Sequence, residues 1–480
     1  MAREQPPAIS TWEGPSSVGG TERDAVSGQV APPTPAMPAP PPPRRSIHVV
    51  TTTINHPAGL LGYAANAAAH GHPKDAVTFV VAGDVKTPAS AADCVAAITD
   101  RFGFRAVYLG VSEQEAYLEA YPELDAHLPW SCIQRRNVAF LWAYEHGADV
   151  VITIDDDNFV ATGGDGRGDG QTEEDFVGRH CIVGTTQSLE AFEDGTPGGD
   201  GDGDGDGEIA PTKEGWVNVC RFLKDHRGTT FYHRGYPMGQ RWRRDERVRS
   251  LGPIAVPVAV NAGLWLEDPD VDAVTRLAND IVAVEYTRDA SFALVPGATS
   301  WSPFNSQNTA VAREVLEAYF MVCHVGRMDD IWASYVVRRI ADHLGHAVAY
   351  GFPVVTQARN PHDLFKDLDD ERFGMRLTGA VCDALRATTL TGATYGECLG
   401  EIATQMRLWV ERGDWEGRAR ERWGGGDGRC GDGSGSGDGW GGKGGGQQHR
   451  AYVEGFVEGM VVWGKTIDRA KARMAAAAAE

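Results

Sequence analysis

The sequence predicts an α/β protein with a mostly parallel central sheet flanked by helices and a C-terminal helical extension. Short β-branched runs, Ile47–Thr53 (IHVVTTT), Val77–Ala82 (VTFVVA) and Ala106–Leu109, alternate with helical stretches around Gly59–His70 and Ala91–Phe102. That β-α-β-α order lays strands side by side in parallel with helices on the faces. A further run, Val150–Ile154 (VVITI), is continuous and β-branched, which suits a central strand buried on both faces. At 480 residues and 42% hydrophobic content, the chain is long enough for a core domain plus appendages.

Residues 1–45 are rich in Pro, Ala, Ser and Gly. They carry too little apolar surface to offset their ordering entropy, so a disordered head is expected. A helix is expected from Ser131, where Ser-Cys-Ile-Gln fits a capping box, to a stop at Gly147. Residues 163–208 hold 13 acidic and 2 basic residues among many glycines and are expected to form a low-complexity insert. A calcium loop does not fit, because counting from Asp202 puts Lys213 where the twelfth-position Glu belongs. The core domain is expected over 46–374. Within it a helix opens at Asp329-Asp330, repeats Trp332, Val336, Ile340 and Leu344, and stops at Gly345. Residues 375–422 read as a helical extension, 424–447 as a Gly-rich linker and 450–480 as a terminal helix.

The net charge of -21 comes from 45 Lys+Arg against 66 Asp+Glu, which argues against nucleic acid or an anionic membrane as the main partner. No stretch approaches the length of a membrane span, and the first residues lack the apolar run of a secretory signal. The eight cysteines form no CxxC pair, as expected of reduced thiols in a cytoplasmic protein.

Val150–Ile154 ends in Asp155-Asp156-Asp157. A parallel strand delivers its last residues to the crevice at the carboxyl edge of the sheet, where α/β folds bind ligands. Asp155 and Asp157 alternate to one side of the strand, and their hard oxygens suit Mn²⁺ or Mg²⁺ bridging the phosphates of a nucleotide. A solvated turn is the plainer reading of the same residues. The stretch RRNVAFLWAYEHGADVVITIDDDN (135–158) resembles the Arg-Asn helix and Asp-x-Asp strand of GT-A glycosyltransferases. The resemblance implies that Asp155 and Asp157 hold the metal, that Asp155 and Asp156 contact the nucleotide-sugar, and that Arg135 or Arg136 lies near phosphate or sugar. It also implies that Asp84, in VVAGD, meets the nucleotide base. An Arg pair on a helix is otherwise a solvated face.

Four further blocks occur in order: HRGYPMGQR (233–241), NAGLWLEDPDVDAVTRL (261–277), PFNSQNTAV (303–311) and GRMDDIWASYVVRRIADHLGHAVAYGFP (326–353). With DDDNF they resemble the reversibly glycosylated polypeptides, also called UDP-arabinopyranose mutases, over roughly residues 46–371. That resemblance implies a UDP-sugar substrate, a divalent metal and self-glycosylation on an arginine. Arg234 corresponds to the glycosylated arginine and Arg241 to a second arginine needed for activity. It further implies work on cell-wall polysaccharide precursors in the cytoplasm, or peripheral to the Golgi, and a homo- or hetero-oligomer. Protonated arginine is a poor nucleophile, so a sugar on Arg234 needs a carboxylate beside it; without one, Arg234 and Arg241 suit a diphosphate clamp. Asp329 and Asp330 serve either as helix-start residues or as the catalytic or acceptor-contacting acids that GT-A enzymes place there. His362 is a candidate third metal ligand, because this chain has Val355 near the place where plant members carry a His.

Three functions follow as alternatives. The first is a UDP-sugar pyranose/furanose mutase that glycosylates itself. The second is a GT-A glycosyltransferase passing the sugar to a saccharide or metabolite acceptor. The third is a non-catalytic nucleotide-sugar binding subunit. An open acceptor groove beside Asp329 and Asp330 separates the second from the first.

Overall fold

A computed structural model describes residues 44–161, 174–194, 215–241, 248–289, 291–413 and 445–479. Residues 1–43 of the head expected at 1–45, the outer parts of the 163–208 insert and most of the 424–447 linker lie outside these residues.

The alternation of β-branched and helical runs is realised at the start of the chain. It gives β1 (Ile47–Thr52), α1 (Gly59–Ala69), β2 (Val77–Ala82), α2 (Ser90–Phe102) and β3 (Arg105–Leu109). After α3 (Val111–Leu118) and α4 (Pro122–His127) come α5 (Arg136–Glu145), β4 (Val150–Ile154) and β5 (Asn158–Val160). Every residue of β1, β2 and β4 is buried, as suits runs rich in β-branched residues in strands covered on both faces. The four strands lie parallel in the order β3-β2-β1-β4.

The rest of the sheet is mixed. α6 (Phe176–His180), β6 (Thr186–Asp194), β7 (Gly215–Trp216), β8 (Leu223–Asp225) and α7 (Met238–Arg241) lead into the long β9 (Val248–Glu267). Then follow α8 (Ala273–Ala278), β10 (Ala283–Tyr286), β11 (Leu294–Pro296), β12 (Ser300–Trp301), β13 (Asn308–Ala312), α9 (Asp329–Leu344) and β14 (Ala347–Gln357). The order continues β4-β13-β9-β6-β11-β14-β5, with β9 also paired to β14, β10 attached to β9 and β8 attached to β10. β13 runs antiparallel to β4 and β9, so strand direction reverses beside the Asp cluster. α10 (Leu364–Ala387), α11 (Tyr395–Arg412) and α12 (Gly445–Ala479) form the helical extension. No helix of the described residues is long and apolar enough to cross a membrane.

Three expectations need correcting. The middle of the 163–208 span is part of the core: α6 and β6 bury Phe176, Val177, Leu189, Ala191 and Phe192, and β6 pairs with both β9 and β11. The Ser131 capping box does not form. Ser131 takes a left-handed φ of 62°, its N–H goes to Asp84, and α5 starts only after a 3-10 turn, at Arg136. The boundary expected after Gly374 falls inside α10, where Gly374 packs so closely on Met328 that an added Cβ would lie 2.1 Å from its Cγ. The helix expected at Asp329 is α9, and Gly345 closes it at a φ of 71°.

With β6 integral, only the outer runs are dispensable. Replacing 163–170 and 195–207 by short Gly-Ser linkers should leave the melting temperature within a few degrees, because loop length costs only ~0.6 kcal/mol per doubling. A large drop in a thermal melt would show that those runs pack or bind calcium.

Candidate active site

Asp155-Asp156-Asp157 forms the tight turn between β4 and β5. The side chain of Asn158 accepts the Asp155 N–H at 3.0 Å, and the Asn158 N–H reaches the Asp155 carbonyl at 3.2 Å. All three acids are only partly exposed, so the turn is not a freely solvated one. Asp156 faces the end of β1, where the Thr53 hydroxyl donates to it at 2.6 Å and the Asn55 amide at 3.2 Å. Asp157 receives weak contacts from the Gln357 amide (3.3 Å) and the Asn360 N–H (3.4 Å). Burial, then Asp155, then Asp156 push its carboxyl up to about 6, the response of a carboxylate with no full cationic partner.

Register explains what stands beside the turn. Ile154 pairs with Asn308 on β13, which brings the loop before β13 alongside Asp155. Arg136, fully buried at the start of α5, bridges the gap. Its guanidinium donates to Asp155 at 2.6 Å, to the Ser306 carbonyl at 3.1 Å and to the Ser306 hydroxyl at 2.9 Å. The Ser306 N–H in turn donates to Asp330 at 3.0 Å.

Asp330 leads to Arg234. The Arg234 guanidinium forks onto both oxygens of Asp270 (2.9 and 3.0 Å), reaches Asp330 at 3.1 Å and also donates to the Arg327 carbonyl. The Asn305 amide supports Asp270 at 2.8 Å, and Arg359 stands 3.8 Å from it. The loop of Arg234 is seated by Gly235, whose φ is 80° and whose added Cβ would fall 2.1 Å from Ile331 Cγ2 on α9; no larger residue fits between them. Asp270 is fully buried and held well below the usual carboxylate range, chiefly by Arg234 against the opposing effect of burial. The two acids push Arg234 well above its ordinary value despite its burial.

A chain of polar contacts thus runs from Asp155 through Arg136, Ser306, Asp330, Arg234 and Asp270 to Arg359, the neighbour of Asn360 at Asp157. Asp329 borders it. Its carboxylate accepts from the Gln134 amide at 2.9 Å and from the Asp330 N–H at 3.0 Å, and burial followed by Asp330 pushes it up to about 7. The N-cap of α9 is Met328, so Asp329 and Asp330 occupy its first turn rather than the cap, still favourable toward the helix dipole. Both are buried.

Asp329 resists ionisation when folded more than when unfolded, so its contribution to stability is full below the ordinary carboxylate range and is lost as pH rises through about 7. Asp329→Asn should therefore stabilise the fold at pH 8, by at most about 4 kcal/mol at 1.36 kcal/mol per pKa unit, with no gain near pH 4. Melting curves of both proteins across that range check it, and a gain that persists at pH 4 would contradict the cause.

The other sequence candidates have structural partners. Both oxygens of Asp84 accept the Ser131 N–H at 2.9 Å, and one also takes that of Val85 at 2.6 Å, so Asp84 shapes the turn into α5. Arg135 is fully buried, donates to Gln114 at 2.9 Å and lies over the Trp130 ring at 3.6 Å; neither member of the Arg pair is a solvated surface residue. Arg241 pairs with Asp272 at 2.5 Å and with Thr275 at 3.3 Å, on the residue that caps α8. His362 pairs with Asp367 at 3.2 Å. Among the described residues, no group of three or more His, Cys, Asp or Glu side chains could hold a metal by itself. Asp270, Asn305, Ser306 and Arg359 were not singled out from the sequence. The signal for Asp270 was the need for a carboxylate beside Arg234, together with its place in the Leu-Glu-Asp-Pro-Asp block.

Comparison with known proteins bears on the half of the chain that contains Arg234 and Asp270. A family model, the reversibly glycosylated polypeptide, matches residues 223–415. This region takes in Arg234, Arg241, Asp270, Asp329, Asp330 and Arg359, whereas Asp155–Asp157 precede it. The chain is 31% identical over 192 residues to the probable UDP-arabinopyranose mutase 1 of Pisum sativum, covering 38% of this chain and 48% of that protein. It is 33% identical over 184 residues to UDP-arabinopyranose mutase 3 of Arabidopsis thaliana, covering 36% and 46%. The matched stretch thus spans about half the length of these relatives. Among solved structures, S. aureus TarS aligns with 12% identity over 78% of this chain and 49% of that one at a TM-score of 0.31. A mycobacterial protein aligns with 12% identity over 72% and 77% at 0.33. Scores at that level carry no argument about function.

Proposed function

We propose that the chain is a nucleotide-sugar-dependent enzyme, a UDP-sugar pyranose/furanose mutase that glycosylates itself on Arg234. The observation that supports it most is the polar chain joining Asp155 to Arg234 through Arg136, Ser306 and Asp330. Residues far apart in sequence, matching the donor site on one side and the reversibly glycosylated polypeptide region on the other, meet at one sheet edge. The carboxylates that a reactive arginine requires are present as Asp270 and Asp330. In the transfer, the bond from the anomeric carbon to the diphosphate breaks, UDP leaves with its electrons, a guanidinium nitrogen of Arg234 takes the carbon, and Asp330 accepts the released proton. While the sugar is held on that nitrogen, the bond from C1 to the ring oxygen breaks, that oxygen takes a proton, and the 4-hydroxyl adds to C1 with loss of its own; reversal of the transfer then returns the furanose to UDP.

The donor set fits a hard divalent cation. Asp155 and Asp157 would hold Mn²⁺ or Mg²⁺, phosphate oxygens and water would complete its shell, and the ion would supply charge neutralisation for the diphosphate. Arg136, already beside Asp155, adds positive charge on the same side.

One observation favours the second reading, transfer to a separate acceptor. Arg234 is buried and its nitrogens Nε, Nη1 and Nη2 are all engaged, as in a structural anchor. Incubation with UDP-arabinopyranose, UDP-glucose and UDP-galactose plus Mn²⁺, followed by intact mass, peptide mapping and chromatography, separates the two. One sugar on Arg234 with a furanose product supports the mutase. No adduct, or an adduct elsewhere, ends that reading, and sugar found only on an added saccharide selects the transferase.

A further inference from the structure

We propose that Glu371, on α10, is a positioning residue that holds Arg234 in place through Arg327, with the start of α8 as its anchor. Its part in the reaction rests on the nucleotide-sugar reading above; the placement of Arg234 rests on the contacts of one buried carboxylate.

Glu371 is 1% exposed, and each of its oxygens has its own donor. Oε1 accepts the Nε–H of Arg327 at 2.9 Å, and Oε2 accepts the backbone N–H of Ala273 at 2.8 Å. Each contact is one step from a site arginine. The Arg327 carbonyl accepts from Arg234 Nη1. Ala273 opens α8 directly after Asp272, which caps that helix and pairs with Arg241. One side chain thus ties the residue that Arg234 grips to the helix start that Arg241 grips. Burial pushes the Glu371 carboxyl up, and Arg234 and then Arg327 oppose it, so Arg234 stands within electrostatic reach of it.

The backbone leaves this tie little freedom. Gly326–Met328 form a 3-10 turn that leads straight into α9 and its two acids. Gly326 takes a φ of 53°, and an added Cβ there would lie 2.2 Å from the Asp370 carbonyl oxygen, so backbone rests on backbone with no room for a side chain. Met328 packs against Gly374 one turn further along α10. The turn therefore sits on α10 around Glu371, and the Arg327 carbonyl goes where α10 holds it. Asp367, one turn earlier on α10, stands 3.5 Å from the Arg327 guanidinium and adds a second hold on the same side chain.

The two donors dictate the residue type. A carboxylate accepts on both oxygens, whereas a Gln amide presents an NH₂ to one of the two donors. A stitch that only joined α10 to α8 would need the Ala273 contact alone, which satisfies one of the orphan N–H groups of a helix start. The Arg327 contact goes further, because it fixes the residue whose carbonyl Arg234 uses. Arg234 then meets Asp270 and Asp330 with its guanidinium already aimed, rather than swinging with a free loop.

Glu371→Gln and Arg327→Met test this, since each cuts the tie and leaves Arg234, Asp270 and Asp330 in the chain. Hydrogen exchange at the Arg234 Nε–H is followed by NMR on protein carrying isotope-labelled arginine, the signal being assigned by its loss in Arg234→Lys. It should speed up at least about fivefold in each variant, because a buried bonded proton exchanges only when its site opens. Sugar interconversion should slow about 10–100-fold, as a small misplacement of a reacting group does, with UDP affinity in Mn²⁺ unchanged. The double variant should be no worse than the poorer single one, because both changes cut the same connection. Unchanged exchange at Arg234 in both single variants overturns the proposal. So do additive losses in the double variant, or interconversion and UDP binding that fall together. Exchange that responds to both variants, beside a wild type that neither forms an adduct nor interconverts a sugar, overturns the mutase reading and leaves the placement of Arg234 by Glu371 standing.

Discussion

Arg234→Lys should abolish any covalent sugar adduct and lower the melting temperature, and Arg234→Ala should lower it further. Lysine keeps the charge, but one ammonium cannot span both oxygens of Asp270, Asp330 and the Arg327 carbonyl, as the planar guanidinium does. In the alanine variant Asp270 is left as a fully buried carboxylate without its main counter-ion, an arrangement that costs about 3–5 kcal/mol. At about 2–4 °C per kcal/mol for a chain portion of this kind, the alanine deficit should exceed roughly 5 °C. The sign with pH is fixed by Asp270. Its folded-state value is depressed, so its stabilisation is full above the ordinary carboxylate range and is lost as pH falls below it. The gap between wild type and Arg234→Ala should therefore narrow in acid, and a gap that widens there would contradict the pairing. UDP binding, which draws on the other end of the polar chain, should survive Arg234→Lys. Loss of UDP affinity without any wild-type adduct would instead assign Arg234 to the donor clamp of a transferase.

Removing the divalent cation, or changing Asp157 to Ala or Asn, should cost at least about 100-fold in turnover. A cation supplies several kcal/mol at a diphosphate, and each 1.36 kcal/mol is tenfold. The loss should not come from unfolding. Without a cation Asp157 is pushed up to about 6 by burial and by Asp155 and Asp156, so its contribution to stability is lost as pH rises through that value. At pH 8, Asp157→Asn should melt at or above the wild-type temperature while its turnover collapses. Full turnover of Asp157→Ala, or of wild type in excess EDTA, would remove the metal from the proposal.

The physical reason an element could be read from sequence is visible in each case. β1, β2 and β4 were found to within a residue because a strand buried on both faces concentrates β-branched residues in one short run. α9 was bounded by its own signals, two acids in the first turn and a left-handed Gly345. β6 was missed because the glycines and aspartates around it dominate the local composition, while the stabilisation of its apolar residues comes from β9 and β11. β9 continues for 20 residues through Gly252, Pro253 and Pro257, residues that locally read as breaks. At the site, Asp155–Asp157 were legible because a strand end concentrates its chemistry in adjacent residues. Asp270 and Ser306 were not, because their partners lie 36 and 24 residues away, and only the fold sets those distances.

The position of α12 has a consequence for how the chain is made. Its Trp463 donates to the Leu316 carbonyl at 2.8 Å, and its Tyr452 hydroxyl donates to that of Val325, just ahead of Asp329. Arg469 of the same helix pairs with Glu123 near the other end of the fold, 346 residues away in sequence. At about 5–20 residues per second of synthesis, Glu123 waits on the order of 20–70 s for that partner to be made. Until then Leu316, Phe320 and Trp332 lack the cover of Trp463 and Phe456. Newborn chains pass through an interval in which the scaffold of Asp329 and Asp330 is present but uncovered, and a ribosome stalled after Arg412 would release a product with that apolar surface open to chaperones and to other nascent chains.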